Sequence, residues 1–203
     1  MAEYVQVLKN DPVLFEVLQG QVFAIRKKRN IGLQLMLSIM SQQLSTKVAA
    51  VFQQRFLALF TEEKTPGMTD VLAISYEQLR SIGLSHAKAT YVHAVATFFV
   101  EKQLTDRQIH ALPNEEVIAL LTQIKGVGQW TVEMLLMFSL ARTNVFPVDD
   151  LGIRQAMLLL YGIRSKDLRR QKARMQAIAA KWHPYQTYAC LHLWHWKDNA
   201  PKL

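Results

Sequence analysis

Residues 121–150 read L-T-Q-I-K-G-V-G-Q-W-T-V-E-M-L-L-M-F-S-L-A-R-T-N-V-F-P-V-D-D, and the fold follows from this stretch. Gly126 and Gly128 flank a single valine, Val127, where a tight turn needs backbone freedom that a β-carbon would restrict. Beyond them Thr131, Val132, Leu135, Leu136 and Ser139 keep the 3.6-residue spacing of a packed helix, so the segment reads as helix, hairpin, helix. The first N–H groups of that second helix have no intrahelical partner and carry partial positive charge, which makes the turn a seat for an anion such as a DNA phosphate. Pro147 then halts regular structure, and Asp149 and Asp150 follow directly. Asp150 lies 22 positions after Gly128 (150 − 128), far enough for one helix and a short return loop to carry a carboxylate back toward the phosphate seat.

Composition bounds the rest. The 203 residues are 50% apolar, enough for a full core in one domain or two packed lobes, and global disorder is excluded. A formal charge of +8 favours an acidic polymer or surface as partner. The single cysteine, Cys190, excludes an intramolecular disulfide and a four-cysteine metal cluster. The N-terminus has no signal-peptide core and no apolar run reaches spanning length, so a soluble, cytoplasmic protein away from any membrane is expected.

Along the chain every strong pattern is helical. Asp11-Pro12 reads as an N-cap and first helical residue, and Arg26, Lys27, Lys28 and Arg29 as a basic linker or a phosphate contact. The helical spacing of residues 31–60 is broken by a polar knot of Ser41, Gln42, Gln43 and Ser45, which belongs at a helix end on a surface. Thr69 and Ser75 read as caps of two short helices, the second with Gln78 as capping-box partner. In L-R-S-I-G-L-S-H-A-K-A, Gly83 ends one helix and Ser85 caps the next, while His86, Lys88 and His93 read as solvent-facing. Asn114, Glu115 and Glu116 open the helix into the hairpin, and a basic helix carries Lys166, Arg169, Arg170, Lys172 and Arg174. The C-terminal W-H-P-Y-Q-T-Y-A-C-L-H-L-W-H-W-K gathers aromatics for a core or a flat ligand. No strand period appears, so the fold class is all-α.

The pair I-K-G-V-G-Q-W-T and F-P-V-D-D-L-G-I-R-Q resembles the helix–hairpin–helix DNA glycosylases with a Gly/Pro-rich loop and an aspartate, the HhH-GPD superfamily. It is most similar to the branch of bacterial 3-methyladenine DNA glycosylase II, over roughly residues 30–196. The resemblance implies a two-lobed helical fold, one lobe spanning 31–143 and the other 1–30 with 144–203, with a cleft between them. It implies a monomer acting on double-stranded DNA that contains damaged bases. The segment before residue 30 is short for the extra mixed α/β domain of the bacterial enzyme.

Such an enzyme extrudes a nucleotide, and four parts are required. Gly126, Val127 and Gly128, with Lys125 beside them, are the expected phosphate grip, and Gln42 or Gln43 the wedge that fills the vacated space. Trp130, Met134 and Trp194 are the expected pocket walls, although Trp194 also reads as a core residue. Trp130 occupies the position where bifunctional relatives hold a lysine, so an imine and strand cleavage are expected to be absent. Trp130 and Met134 offer an electron-rich, polarizable face suited to a cationic base, and alkylation at purine N3 or N7 creates one. The relative's aromatic at position 134 is missing. Asp150 is expected to stabilise the oxocarbenium-like sugar, with Asp149 as cap or structural partner; the alternative makes Asp150 the cap and Asp149 the catalyst. Lys125 and Arg154 are candidate phosphate neighbours. No tight cofactor is implied beyond a monovalent cation on the Ile124 and Gly126 carbonyls, which the resemblance alone suggests. Rival readings are a glycosylase for oxidised, deaminated or mismatched bases and a non-catalytic DNA-binding module.

Overall fold

The structure, a computed structural model, describes residues 2–18, 20–60 and 65–199. Among these residues there are thirteen α-helices, one 3₁₀ turn and no strand. None of these helices is long and apolar enough to cross a membrane. The chain divides into two compact units, Lys27–Leu140 and the combination of Met1–Arg26 with Ala141–Leu203.

The contiguous unit holds α3 (Ile31–Ser41), α4 (Thr46–Leu57), α5 (Met68–Ala73), α6 (Tyr76–Ser81), α7 (His86–Glu101), α8 (Asp106–Ala111), α9 (Asn114–Leu121) and α10 (Gln129–Phe138). It is built on α7, whose buried Val92, Val95, Ala96 and Phe99 sit in a layer with Leu35, Met36 and Ile39 of α3. Seven of the ten residues of α10 are buried, Thr131 through Met137, which explains why its apolar residues run nearly all round the helix. Polar caps set the helix starts. Ser75 accepts from the Gln78 amide while the Gln78 side chain accepts from Ser75, and Ser85 accepts from the Lys88 amide. Thr69 is not a cap: Asp70 Oδ2 accepts the Gly67 N–H at 2.7 Å, so the helix begins at Met68. The entry to α3 is fixed by Asp106, whose two carboxylate oxygens accept the N–H groups of Asn30 and Ile31 at 2.6 and 2.8 Å.

The second unit holds α1 (Glu3–Leu8), α2 (Pro12–Leu18), α11 (Leu151–Leu160), α12 (Leu168–Ala179), the 3₁₀ turn Ala180–Trp182 and α13 (Gln186–Asn199). Asp11 joins its two sequence ends. Oδ1 caps α2 by accepting from Val13 and Leu14 N–H, and Oδ2 accepts the Tyr161 hydroxyl at 2.9 Å and Trp182 Nε1 at 3.0 Å. Tyr161 is held protonated by its burial and by that carboxylate, which together raise its pKa.

On α13, His192 is fully buried among aromatics. The rings of Tyr4 and Phe23 lie with centroids 5.9 and 4.8 Å from it, and neither imidazole nitrogen has a hydrogen-bond partner among the described residues. Burial first, and the neighbouring His195 second, push its pKa down from 6.5 to about 4. The folded value lies below the unfolded one, so the unfolded chain takes up the proton first. This contribution is whole above about pH 6.5 and is lost as the pH falls toward 4. Chemical denaturation at pH 7 and pH 5 should therefore show the parent losing stability at the lower pH and His192→Phe losing distinctly less; equal losses would exclude His192 as the group responsible.

Candidate functional site

The hairpin connects α9 to α10. It is closed by Val127 N–H on the Ile124 carbonyl at 3.0 Å, and Gly128 stands as the residue before α10, with its own carbonyl accepting from Thr131 and Val132. Gly126 adopts φ +88°, and a β-carbon there would meet the Tyr91 ring at 2.2 Å. Conformation and space both demand glycine at this position. At Gly128 the situation differs: φ is −90° and nothing lies within 4 Å of a would-be β-carbon. The N–H groups of Gly128 and Gln129 donate to no partner among the described residues, the first turn of α10 carries no acidic residue, and Lys125 is exposed beside them. Unpaired donors, an open approach and a nearby cation make this end of α10 suited to an anion.

Trp130 is 37% exposed on that first turn and Met134, one turn on, is buried. Glu133, which the sequence pattern did not single out, is buried and accepts Gln129 Nε2 at 2.9 Å.

The polar knot lies between α3 and α4, where the structure separates its two glutamines. Gln42 Nε2 donates to Thr131 Oγ1 of α10 at 2.9 Å. Gln43 is exposed, adopts φ +60° and makes no side-chain hydrogen bond among the described residues. Ser41 Oγ is taken by the Leu37 carbonyl and Gln53 Nε2, and Ser45 accepts from Val48 N–H as the cap of α4. Two of the side chains expected to face solvent on α7 do not. Lys88 Nζ donates to the carbonyls of Met40 and Gln42, both at 2.8 Å, and His93 Nε2 donates to Ile74 at 2.9 Å; only His86 is exposed. A long side chain on a polar helix face can reach orphan carbonyls that the periodicity does not reveal.

Asp150 lies in the second unit. The turn from Pro147 closes with Asp150 N–H on the Pro147 carbonyl at 2.9 Å, and Asp150 is the N-cap of α11, accepting Ile153 N–H on Oδ1 at 2.8 Å. The same Oδ1 accepts Trp194 Nε1 at 2.9 Å, so a cap and an indole clamp share one oxygen. Gly152 makes the approach possible: a β-carbon there would stand 3.0 Å from Trp194 Cδ1 and 3.2 Å from Asp150 Oδ1. One stripe of α13 supports the loop leading in. Thr187 accepts from Val145 N–H and donates to the Arg142 carbonyl, and Trp194, two turns on, reaches Asp150. Asp150 is 8% exposed. Asp149 pairs instead with Lys172 of α12 at the surface. Among the described residues no three His, Cys, Asp or Glu side chains converge as a metal site.

The chain belongs to the HhH-GPD superfamily of base excision DNA repair proteins, whose family pattern matches residues 36–184. It is 34% identical over 162 residues to DNA-3-methyladenine glycosylase 1 of Schizosaccharomyces pombe, a match covering 79% of this chain and 70% of that protein. It is 32% identical over 165 residues to the Bacillus subtilis protein YfjP, covering 79% of this chain and 56% of that one. The chain thus spans little more than half of one curated relative. Its fold is similar to the solved structure of the S. pombe 3-methyladenine DNA glycosylase Mag1 in complex with abasic DNA, with a TM-score of 0.82, 28% identity and all of both chains covered.

Two substitutions test this geometry. Gly126→Ala combines a left-handed backbone with a clash against Tyr91 and is expected to cost roughly 2–4 kcal/mol in urea denaturation; a loss no larger than that of Gly128→Ala would contradict the packing described. Trp194→Phe keeps an aromatic ring, though a smaller one, and removes the donor to Asp150, and should lower stability by about 1–2 kcal/mol with an unchanged denaturant slope. An unaltered midpoint would mean that the indole bond is not formed in solution.

Proposed function

We propose that this chain is a DNA N-glycosylase of base excision repair that removes alkylated purines of the 3-methyladenine and 7-methylguanine type from duplex DNA. It acts as a monomer and leaves an abasic site with the strand intact. The observation that carries the reading is the Asp150 carboxylate, nearly buried yet fixed by Ile153 N–H and Trp194 Nε1, in a chain of the HhH-GPD superfamily. The abasic DNA held by the fission-yeast relative supports DNA as the partner.

The chemistry follows from charge. An alkylated purine is already cationic, so the C1′–N bond breaks with its electron pair going to the base, and no proton need be given to the leaving group. The sugar becomes oxocarbenium-like, and Asp150 stabilises it as an ionised carboxylate. Water then adds at C1′, and its proton passes to Asp150 or to solvent. Trp130 and Met134 receive the cationic base, with a cation–π contribution of roughly 0.5–2 kcal/mol, and Trp194 orients the carboxylate through its indole N–H. The Gly126–Gly128 turn and Lys125 take the DNA phosphate, and Gln43, the glutamine whose side chain is uncommitted, enters the duplex in place of the extruded nucleotide. A tryptophan at position 130 has no amine to form an imine, which favours simple hydrolysis over strand cleavage. A monovalent cation on the Ile124 and Gly126 carbonyls rests on the family resemblance; the Ile124 oxygen already accepts Val127 N–H and keeps a second lone pair for such an ion.

Asp150→Asn is the decisive variant, because asparagine caps a helix as well as aspartate does and leaves the fold intact. Single-turnover release of 7-methylguanine should fall by about a hundredfold or more, with binding to abasic DNA retained. Unchanged release would remove Asp150 from the mechanism. Release by the parent from uracil- or 8-oxoguanine-containing duplexes, but not from methylated ones, would replace the substrate class.

A further inference from the structure

We infer that Lys88 is a positioning residue for the DNA insertion loop, its ammonium holding the Met40 and Gln42 carbonyls so that the turn between α3 and α4 presents Gln43 outward. The inference rests on the reading of Gln43 as the residue that enters the duplex.

The geometry begins with a helix end. The last carbonyls of α3 have no intrahelical partner, and a cation close to a helix C-terminus is favoured by the dipole as well as by hydrogen bonding. Lys88 comes from α7, more than forty residues further along, and places Nζ 2.8 Å from both oxygens. Those oxygens flank Ser41, the final residue of α3, so one ammonium can take both only when the chain has turned as it does here. The turn needs outside help. Gln43 occupies left-handed backbone at φ +60° without being glycine, at a cost of about 1–2 kcal/mol that its surroundings have to offset. Every other polar side chain of residues 41–45 is committed: Ser41 to Leu37 and Gln53, Gln42 to Thr131, Ser45 to Val48. Lys88 supplies the remaining tie, to the backbone itself.

The surroundings fit a residue that works inside the protein. Lys88 is half-buried, at the edge of a recess of about 270 Å³ lined by Gln43, Leu44, Phe52, Leu84 and Ser85. Burial lowers its pKa from 10.5, the direction expected when an ammonium exchanges water for protein. Two of its three N–H donors are spent on the carbonyls.

The test uses Lys88→Met, which removes the charge and donors at similar length, Lys88→Gln, which keeps a neutral donor should the methionine variant fold poorly, and Lys88→Arg, which restores a cation. In the free protein, amide exchange at residues 42–45 should accelerate about tenfold in Lys88→Met, the consequence of losing a charge-assisted hydrogen bond of about 1.4 kcal/mol, and return toward the parent rate in Lys88→Arg. Single-turnover release of 7-methylguanine should slow about tenfold when the base is paired in a duplex, and less than about twofold when it sits unpaired in a bulge, where extrusion needs little help. The salt dependence of binding to abasic DNA should not change. Unchanged exchange at 42–45 would overturn the proposal, as would a salt slope shallower by about one, which would make Lys88 a phosphate contact. A parent protein that released no methylated base would sink the glycosylase reading, while the exchange measurement would still judge Lys88.

Discussion

One carboxylate oxygen, Oδ1 of Asp150, receives the Ile153 N–H from the first turn of α11 and the indole N–H of Trp194. The arrangement of residues 141–199 depends on this convergence. The Pro147 turn delivers Asp150 to the helix start, Gly152 leaves room for the indole, and Thr187 ties the incoming loop to the helix that carries Trp194. A carboxylate held from two directions has little rotational freedom to lose when a reaction requires one orientation of it. Under the proposed function the cap and the reactive group are one side chain, so fold and chemistry make the same demand on it.

The other unit solves a different problem with backbone atoms. The hairpin offers N–H groups with no side-chain identity, and the loop after α3 offers one glutamine raised on a turn tied down around it. Backbone donors recognise phosphate and carry no base preference. Under the proposed function, selection among bases then rests with the side chains that receive the base and with the ease of extrusion.

Much of this was legible in the chain because it rests on local chemistry. The hairpin turn at Gly126, the caps at Asp11, Ser75 and Ser85, and the helical class all follow from rules that act within one or two turns, whereas Gly128 keeps an ordinary φ of −90°. Contacts between distant residues were not legible. Nothing near Gly126 in sequence reveals Tyr91 behind it, nothing near Asp150 identifies the indole 44 residues away as its partner, and two adjacent glutamines look alike until Thr131 claims one of them. Lys88 looks solvent-facing in the sequence because periodicity places a Cα on a helix face and does not reveal where a four-carbon side chain ends. Thr69 resembles a cap because Thr is a good one, while Asp70 holds the Gly67 N–H and starts the helix at Met68.

The Asp11 carboxylate has a consequence for the order in which the chain can fold. Its partners Tyr161 and Trp182 are 150 and 171 positions downstream, so at ribosomal speeds they emerge roughly 8–30 s after it. The uninterrupted stretch from Lys27 to Leu140 is complete 21 positions before Tyr161 (161 − 140), about 1–4 s earlier at the same speeds. The first two helices therefore wait for α11 to α13 with their apolar faces uncovered. Leu8, Leu14 and Val17, fully or almost fully buried in the finished protein, are the residues that a holding chaperone or a protease would meet during that interval.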